Sequence, residues 1–345
     1  MKSLIRRIVP EAFERFGYLG YLRSTISRQR AVVLRYHSVS ELTEENSSYR
    51  CPTIAVSPSV FEAQMRYLAR HYAVVPLAEL IACQQAGEPF PKRAAAITFD
   101  DGYKDNFTHA LPVLRELNLP STVYVTTNSI GDGWQFWVSR VRALVHAFPG
   151  ERLEIAGLGS YSTATPAERQ VAIGQITSEL CGQSPSRRSE LLEHLAAAAQ
   201  VTAPPESARA WMMSWDELRA MVAAGVDIGA HTLSHPILTT LSADSAAHEI
   251  AKSRATLEEG LESEVKHFAY PNGPNVSANH DDRVVAAVKA AGFDSASTSL
   301  NGSFSQSDDR YRLPRIPISD WARMSDFAFA LERDRISGMG YRSRA

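Results

Sequence analysis

Two short runs in this chain hold side chains whose types and spacing can do chemistry. In Thr98-Phe99-Asp100-Asp101-Gly102-Tyr103, two adjacent carboxylates follow directly on the apolar run AAAITF (94–99). Carboxylates at the end of a buried strand are costly unless a cation or hydrogen bonds compensate them. Gly102 lets the chain turn sharply and lets a ligand approach the backbone. Taken alone, the run reads equally as a helix start in which Asp101 caps the following segment. In His231-Thr232-Leu233-Ser234-His235-Pro236, two histidines stand four apart, just after the apolar VDIGA. That spacing predicts a helical turn with both imidazoles on one face, in reach of one metal ion. The competing reading, two surface histidines, is weakened by their place at the end of a strand. One carboxylate with two histidines is a common divalent-metal set that leaves positions open for water and substrate. The two runs together are far more specific than either alone.

These side chains need elements to carry them. Ala31 to Tyr36 (AVVLRY) is an apolar, β-branched run of strand length, followed by His37 and a polar loop through Pro52. SPSVFEAQMRYLARHY signals a helix, with Ser57 or Ser59 as cap and Phe61, Met65, Leu68 and Tyr72 at helical spacing. VVPLAELIACQQAG reads as a short strand and a helix ended by Gly87. AAAITF is a buried strand, Asn106 to Leu117 a helix and PSTVYVT (120–126) a third strand. After Ser214, placed as an N-cap with Glu217 at the capping-box position, the rhythm resumes. VDIGAH, VKHFAYP and FDSASTS read as strands, SADSAAHEIAKSRATLEEGL and DDRVVAAVKAAG as helices. This alternation predicts a parallel sheet or barrel, and α/β barrels set their active sites at strand C-terminal ends. Between about Trp134 and Trp215 the pattern turns mainly helical, with a turn-like EIAGLGSYSTATP, and reads as an insertion at about 134–213.

Composition narrows the class. At 345 residues the chain suits one large α/β barrel or two average domains, and 44% hydrophobic with 21% charged residues is ordinary for a globular protein. A formal net charge of -2 gives no reason to expect a nucleic-acid partner. Three scattered cysteines (Cys51, Cys83, Cys181) form no zinc-knuckle spacing, argue against a disulfide framework and are expected as buried thiols. No run approaches the roughly 18 to 20 apolar residues of a membrane span. Residues 1–30 are basic and amphipathic but broken by arginines, so they lack the h-region of a secretory signal. Two readings stay open for them: a helix against the protein's own body, or peripheral contact with an anionic membrane. The simplest expectation is a cytoplasmic protein, working at the inner face of the membrane if the second reading holds.

With these residues in view, the sequence resembles the polysaccharide deacetylase family, the NodB-homology group of carbohydrate esterases. TFDDGY matches the family's first motif and HTLSHP its second. The likeness extends to Tyr36-His37, to FAYPNG (268–273) in the third-motif position and to LPRIPI (313–318), and so spans most of 31–320. The resemblance implies a distorted (β/α) barrel with fewer than eight strands, over a catalytic domain at 31–335. It also implies hydrolysis of N-acetyl groups from N-acetylhexosamine units. By the same resemblance Asp101, His231 and His235 would hold a divalent metal, Zn2+ for preference, and Asp100 would be the general base. The backbone N–H of Tyr103 would help to stabilise the oxyanion.

Two departures stand out. The family's third motif often carries an arginine that orients the catalytic aspartate, and Ala269 stands there; Arg315 is the candidate replacement, a surface arginine the alternative. The family's late histidine acid has no counterpart after His280, which leaves His37 or water on the metal as donor, or His37 as a plain loop histidine. Trp134 and Trp137 read as an aromatic wall for a sugar ring or as an anchor for the inserted helices. Trp211 and Trp215 are expected in the core. Pro271 and Gly273 shape a turn beside the pocket, with Pro271 and Asn272 as candidate substrate contacts. The expected partner is an N-acetylated glycan: polysaccharide, oligosaccharide or lipid-linked sugar, in surface-polysaccharide assembly. The alternatives are a carbohydrate-binding relative without catalysis, and a hydrolase of another linear amide.

Overall fold

The computed structural model describes residues 29–43, 48–271, 279–320 and 323–337, with the side chains of 209 and 333–337 left out. The amphipathic segment 1–28 and Asn272 therefore lie outside the described residues. In chain order the strands are β1 (Arg30–Tyr36), β2 (Ser38–Val39), β3 (Ala55–Val56), β4 (Ala73–Val74), β5 (Ala94–Phe99) and β6 (Ser121–Val125). There follow β7 (Arg152–Ile155), β8 (Gly159–Ser162), β9 (Asp227–Ala230), β10 (His267–Ala269), β11 (Ser295–Ser297), β12 (Phe304–Ser305) and β13 (Ile316–Pro317).

The main sheet runs β11-β10-β9-β6-β5-β1, all parallel, with β4 alongside β5 and β12 antiparallel on β1. Its two ends meet through one segment: Leu313 bridges Ser297 of β11, and Ile316 in β13 pairs with Leu34 of β1. This closes a distorted barrel whose ring, among the described residues, has seven strands, with β4 and β12 outside it, fewer than eight as the family resemblance implies. Side-chain alternation follows the pleat. Val32, Leu34 and Tyr36 of β1, and Ile97 and Phe99 of β5, belong to a large core shared with the helices Pro58–His71, Ala243–Leu261 and Asp282–Ala290. The opposite faces of the same strands carry Ala31, Val33, Ala94 and Ala96, which meet Tyr124, Ala269 and Leu313. Small residues on that inner face let the sheet curl tightly.

Local signals worked where their chemistry is local. Ser214 accepts from the N–H of Glu217 and Glu217 from that of Ser214, a capping box opening the helix Trp215–Ala223. Gly87 ends the helix Leu77–Ala86 at φ 68°, a left-handed cap that glycine adopts without strain. Ser57 occupies an N-cap position, but its hydroxyl goes to Asp320 instead of the helix. The expected helix from Asn106 begins as a π-turn over Asn106–Ala110 before Leu111–Glu116, and its Asn106 side chain donates to the His37 carbonyl at 2.7 Å.

The helical stretch expected as an insertion builds a second core, which Tyr103 and Ile237 join from outside it. Helices Trp137–Ala147, Pro166–Cys181 and Pro185–Ala198 bury Val141, Leu144, Ile176, Leu191 and Leu195 together with Phe136 and Trp211. The turn-like stretch is in fact the hairpin β7-β8, antiparallel and burying Leu153, Ile155 and Tyr161, with Ala156, Gly157 and Leu158 at its turn. Its short, half-exposed strands carry too weak an alternation to stand out in the sequence. Of the thiols only Cys181 is buried; Cys51 and Cys83 are half-buried. Trp211 lies in the inserted core, while Trp215 is partly buried against the main one. Among the described residues no helix is long and apolar enough to cross a membrane.

Gly229 in β9 marks a close approach that leads to the site. A Cβ there would sit 2.5 Å from the Tyr124 ring and 2.8 Å from the His267 carbonyl. Gly229→Ala is expected to cost about 1–3 kcal/mol by overpacking, read as a lowered midpoint in urea unfolding.

Candidate metal centre and active site

The chemistry-bearing side chains converge where β5, β9, β10 and the closing segment end. Asp100 leaves β5 with its N–H donating to the Tyr36 carbonyl at 3.0 Å. Arg315, wholly buried on the closing segment, grips its carboxylate with both ends of the guanidinium: Nη1 to Oδ1 at 2.6 Å and Nη2 to Oδ2 at 2.7 Å. The guanidinium is itself aimed by Thr298 O, which accepts from Nε at 2.9 Å, and by Thr98 Oγ1, which accepts from Nη1 at 3.1 Å. Burial alone would push the Asp100 carboxyl up, but the Arg315 charge overrides it and holds the group down at about 2. Asp100 is thus an ionised, oriented acceptor throughout the neutral range. The arginine that the resemblance implies at Ala269 comes instead from the segment just before β13.

Asp101 points the other way because its backbone is left-handed, at φ 76°, an uncommon state for a residue with a side chain. Its Oδ1 lies 3.4 Å from Nε2 of His231 and 3.4 Å from Nε2 of His235. One ligand atom from each residue falls within 4.8 Å of the others, and all three residues are buried. Spacings of 3.4 Å are long for hydrogen bonds, yet donors about 2.0–2.1 Å from a tetrahedral ion lie about that far apart. His231 fits as a ligand for a second reason. Its Nδ1 is 2.7 Å from the Ala269 carbonyl, which can only accept, so the proton sits on Nδ1 and the Nε2 lone pair faces Asp101. Burial opposes ionisation of Asp101, but the two imidazoles beside it keep its carboxyl well below the usual range. The residues present fit a divalent ion with open positions.

The histidine pair does not lie on a helical turn, as its spacing predicted. Residues 231–235 form an irregular loop with Thr232 at φ 68° and His235 at φ 55°, and the Thr232 hydroxyl accepts from the His235 N–H at 3.0 Å. Two left-handed residues bring the imidazoles together, with ring centroids 4.9 Å apart.

The remaining candidates are placed unequally. His37 Nε2 is 3.9 Å from Asp100 Oδ2, within the site but beyond hydrogen-bond reach. Burial pulls its imidazole down to about 4 against the charges of Asp101 and Asp100, so at neutral pH it lacks the proton an acid would give. Tyr103 sits opposite Met212 in an antiparallel bridge whose two hydrogen bonds, Lys104 N to Trp211 O and Met213 N to Gly102 O, flank it. That is the non-hydrogen-bonded position, so the Tyr103 N–H points away from the 211–213 strand. The Tyr103 ring is buried edge-on to Phe136. Trp134 is only 8% exposed and packs on Trp211 beneath the Arg140 guanidinium. It anchors the insertion and offers no open wall for a sugar. Pro271 is buried just after β10.

Three features went unseen in the sequence. Arg35, on the strand flanking β5, is buried with Nε and Nη1 unpartnered, and it interacts electrostatically with Arg315, Asp100 and Asp101. A cation inside AVVLRY was the available signal. Asp105, buried and ion-paired with Arg50, accepts from the Ser38 hydroxyl at 2.6 Å and the Val39 N–H at 3.0 Å, holding the chain just beyond His37. Glu249 reaches the histidine loop from the helix Ala243–Leu261, and nothing in its helical surroundings announces it.

Replacing Arg315 by Met removes the largest influence that opposes burial, so the Asp100 carboxyl should rise. The acidic limb of the pH–activity profile then moves to higher pH, and breaking a buried pair costs about 3–5 kcal/mol. A profile from pH 4 to 9 and a thermal melt check both; an unmoved limb rejects the assignment.

Residues 87–149 and 188–296 match the family model described as polysaccharide deacetylase, and the break between them falls within the insertion. The chain is 32% identical over 110 residues to the poly-beta-1,6-N-acetyl-D-glucosamine N-deacetylase of Staphylococcus aureus strain MSSA476, covering 30% of this chain and 38% of that protein. It is 31% identical over 112 residues to the protein of that name from Staphylococcus epidermidis, again covering 30% and 38%. The match thus spans well under half the length of these curated relatives. Among solved structures, the Streptococcus pyogenes deacetylase PplD in complex with acetate aligns with TM-score 0.58 at 16% identity, over 88% of this chain and 98% of that one. IcaB from Ammonifex degensii aligns with TM-score 0.55 at 18% identity, over 89% and 97%. At such identities the structures speak for the fold. The sequence match over both motif-bearing segments settles the lineage: the chain belongs to the polysaccharide deacetylase family.

Proposed function

We propose that this protein hydrolyses N-acetyl groups from N-acetylhexosamine units of a glycan, as a zinc-dependent enzyme of surface-polysaccharide assembly. The observation that carries this reading is the pairing, at adjacent positions, of a carboxylate in a three-donor cluster with a carboxylate locked by arginine. Asp101, His231 and His235 would hold the ion. When bound, it supplies Lewis acidity, polarising a carbonyl oxygen and making water nucleophilic near neutral pH.

The chain's own residues would do the rest. Asp100, ionised and oriented by Arg315, takes the proton from the attacking water. The Tyr103 N–H, free of the neighbouring ladder, donates to the oxygen on which charge develops. We assign delivery of the proton to the leaving amine to Asp100 as well, since it then holds the proton taken from the attacking water, whereas burial disfavours the protonated form of His37. Arg315 on Asp100 favours this over the reading as a binding protein without catalysis, which drew on the missing arginine at Ala269. The substrate class draws on the names of the staphylococcal relatives. A cytoplasmic site of action is part of the same proposal and is tested by cell fractionation.

Asp101→Ala, His231→Ala and His235→Ala should each lose bound zinc together with acetate release from N-acetylglucosamine oligomers. Full zinc retention in all three would end the assignment. Asp100→Asn should keep zinc while turnover drops by about 10²–10⁴, measured as acetate released under saturating substrate; unchanged turnover rules it out as the base.

A further inference from the structure

The two histidines of the cluster are held by different parts of the molecule. His231 is fixed by the barrel, through the Ala269 carbonyl 2.7 Å from its Nδ1. His235 has no such bond, for its Nδ1 is buried without a hydrogen-bond partner. What surrounds it comes from the start of the inserted layer. The Phe136 ring meets it edge-on, with centroids 5.3 Å apart, and the Trp137 ring lies at 6.4 Å. Trp137 Nε1 donates to the His235 carbonyl at 3.1 Å. Arg188, from the helix Pro185–Ala198, lays its guanidinium 4.9 Å over the Trp137 ring and donates from Nη2 to the Ser234 carbonyl at 3.2 Å. From the barrel side Glu249 Oε2 accepts the N–H groups of Leu233 and Ser234, both at 2.9 Å, and Oε1 accepts the Ser234 hydroxyl at 2.7 Å. A loop with left-handed Thr232 and His235 persists only where its surroundings over-determine it.

We propose that Trp137, Arg188 and Glu249 are positioning residues for His235, so that the inserted layer is the outer support of the metal site. The inference rests on the reading of Asp101, His231 and His235 as ligands. It makes a prediction that simple electrostatics does not. Arg188 is a buried cation near a cation site, so on charge alone its removal should tighten metal binding. If Arg188 holds the loop, its removal should weaken binding instead.

The test compares zinc affinity, by competition with a chelating dye, in the wild type, Trp137→Phe, Arg188→Met, Glu249→Gln and Leu192→Ala. Trp137→Phe keeps an aromatic face but removes the Nε1–H donor, with part of the indole's volume. Leu192 is buried in the inserted core, and no hydrogen bond joins it to the loop. The expected result is zinc affinity about 10- to 100-fold weaker in the first three variants, with Leu192→Ala lowering Tm but binding zinc as the wild type does. The inference is overturned if Trp137→Phe and Arg188→Met lower Tm yet bind zinc as tightly as Leu192→Ala, or if Arg188→Met binds more tightly. Absence of zinc binding by the wild type would instead overturn the ligand reading, and this inference with it.

Discussion

Two adjacent carboxylates buried at the end of one strand must each find compensation, and much of the molecule near the site is arranged around that requirement. Left ionised and unpaired, either would carry a desolvation cost of several kcal/mol. The backbone separates them: Asp100 continues the strand inward, while the left-handed turn at Asp101 sends its side chain to the opposite partner. Asp100 is answered by the Arg315 guanidinium. Asp101 is answered by two imidazoles at ion-sharing distance. One carboxylate thereby faces a guanidinium and its neighbour a pair of imidazoles.

This division ties the chemistry to the way the barrel closes. The segment that joins β11 to β1 also carries Arg315, so the last pairing to complete the barrel delivers the counter-charge to the first carboxylate. An arginine arriving by this route orients Asp100 where the family resemblance implies an arginine in place of Ala269, on β10. Ala269 keeps a different task, lending its carbonyl to His231. The inner face of β1 adds Arg35, a second buried cation with two unmatched N–H groups. The site is thus richer in positive charge than its metal motif alone suggests.

The insertion, placed over the histidine loop, accounts for another asymmetry. The second core allows it to hold a rigid edge of Phe136, Trp137 and Arg188 against residues 234 and 235. The strained backbone of that loop is held from both sides, by the barrel through Glu249 and by the added layer through Trp137 and Arg188. Trp134, buried on Trp211, belongs to the same anchoring edge.

By itself the sequence determined what depends on neighbours along the chain. The parallel βα rhythm, the Ser214 capping box, the Gly87 cap and the placement of both motifs at strand ends follow from periodicity and local hydrogen bonding. The identities of Asp100, Asp101, His231 and His235 were legible for the same reason, since adjacent carboxylates and paired histidines stand close in the chain. The tertiary structure alone decided what depends on residues far apart. Arg315 lies 215 positions from Asp100, and only barrel closure brings them together. Arg188, Glu249 and Trp137 meet the histidine loop across 46, 15 and 98 positions. The helical turn expected for the histidines gave way because capping by Thr232 and the pull of these distant partners outweigh a local preference for helix. Spacing could name the groups at the centre; which groups hold them in place is a property of packing between elements, which no local pattern records.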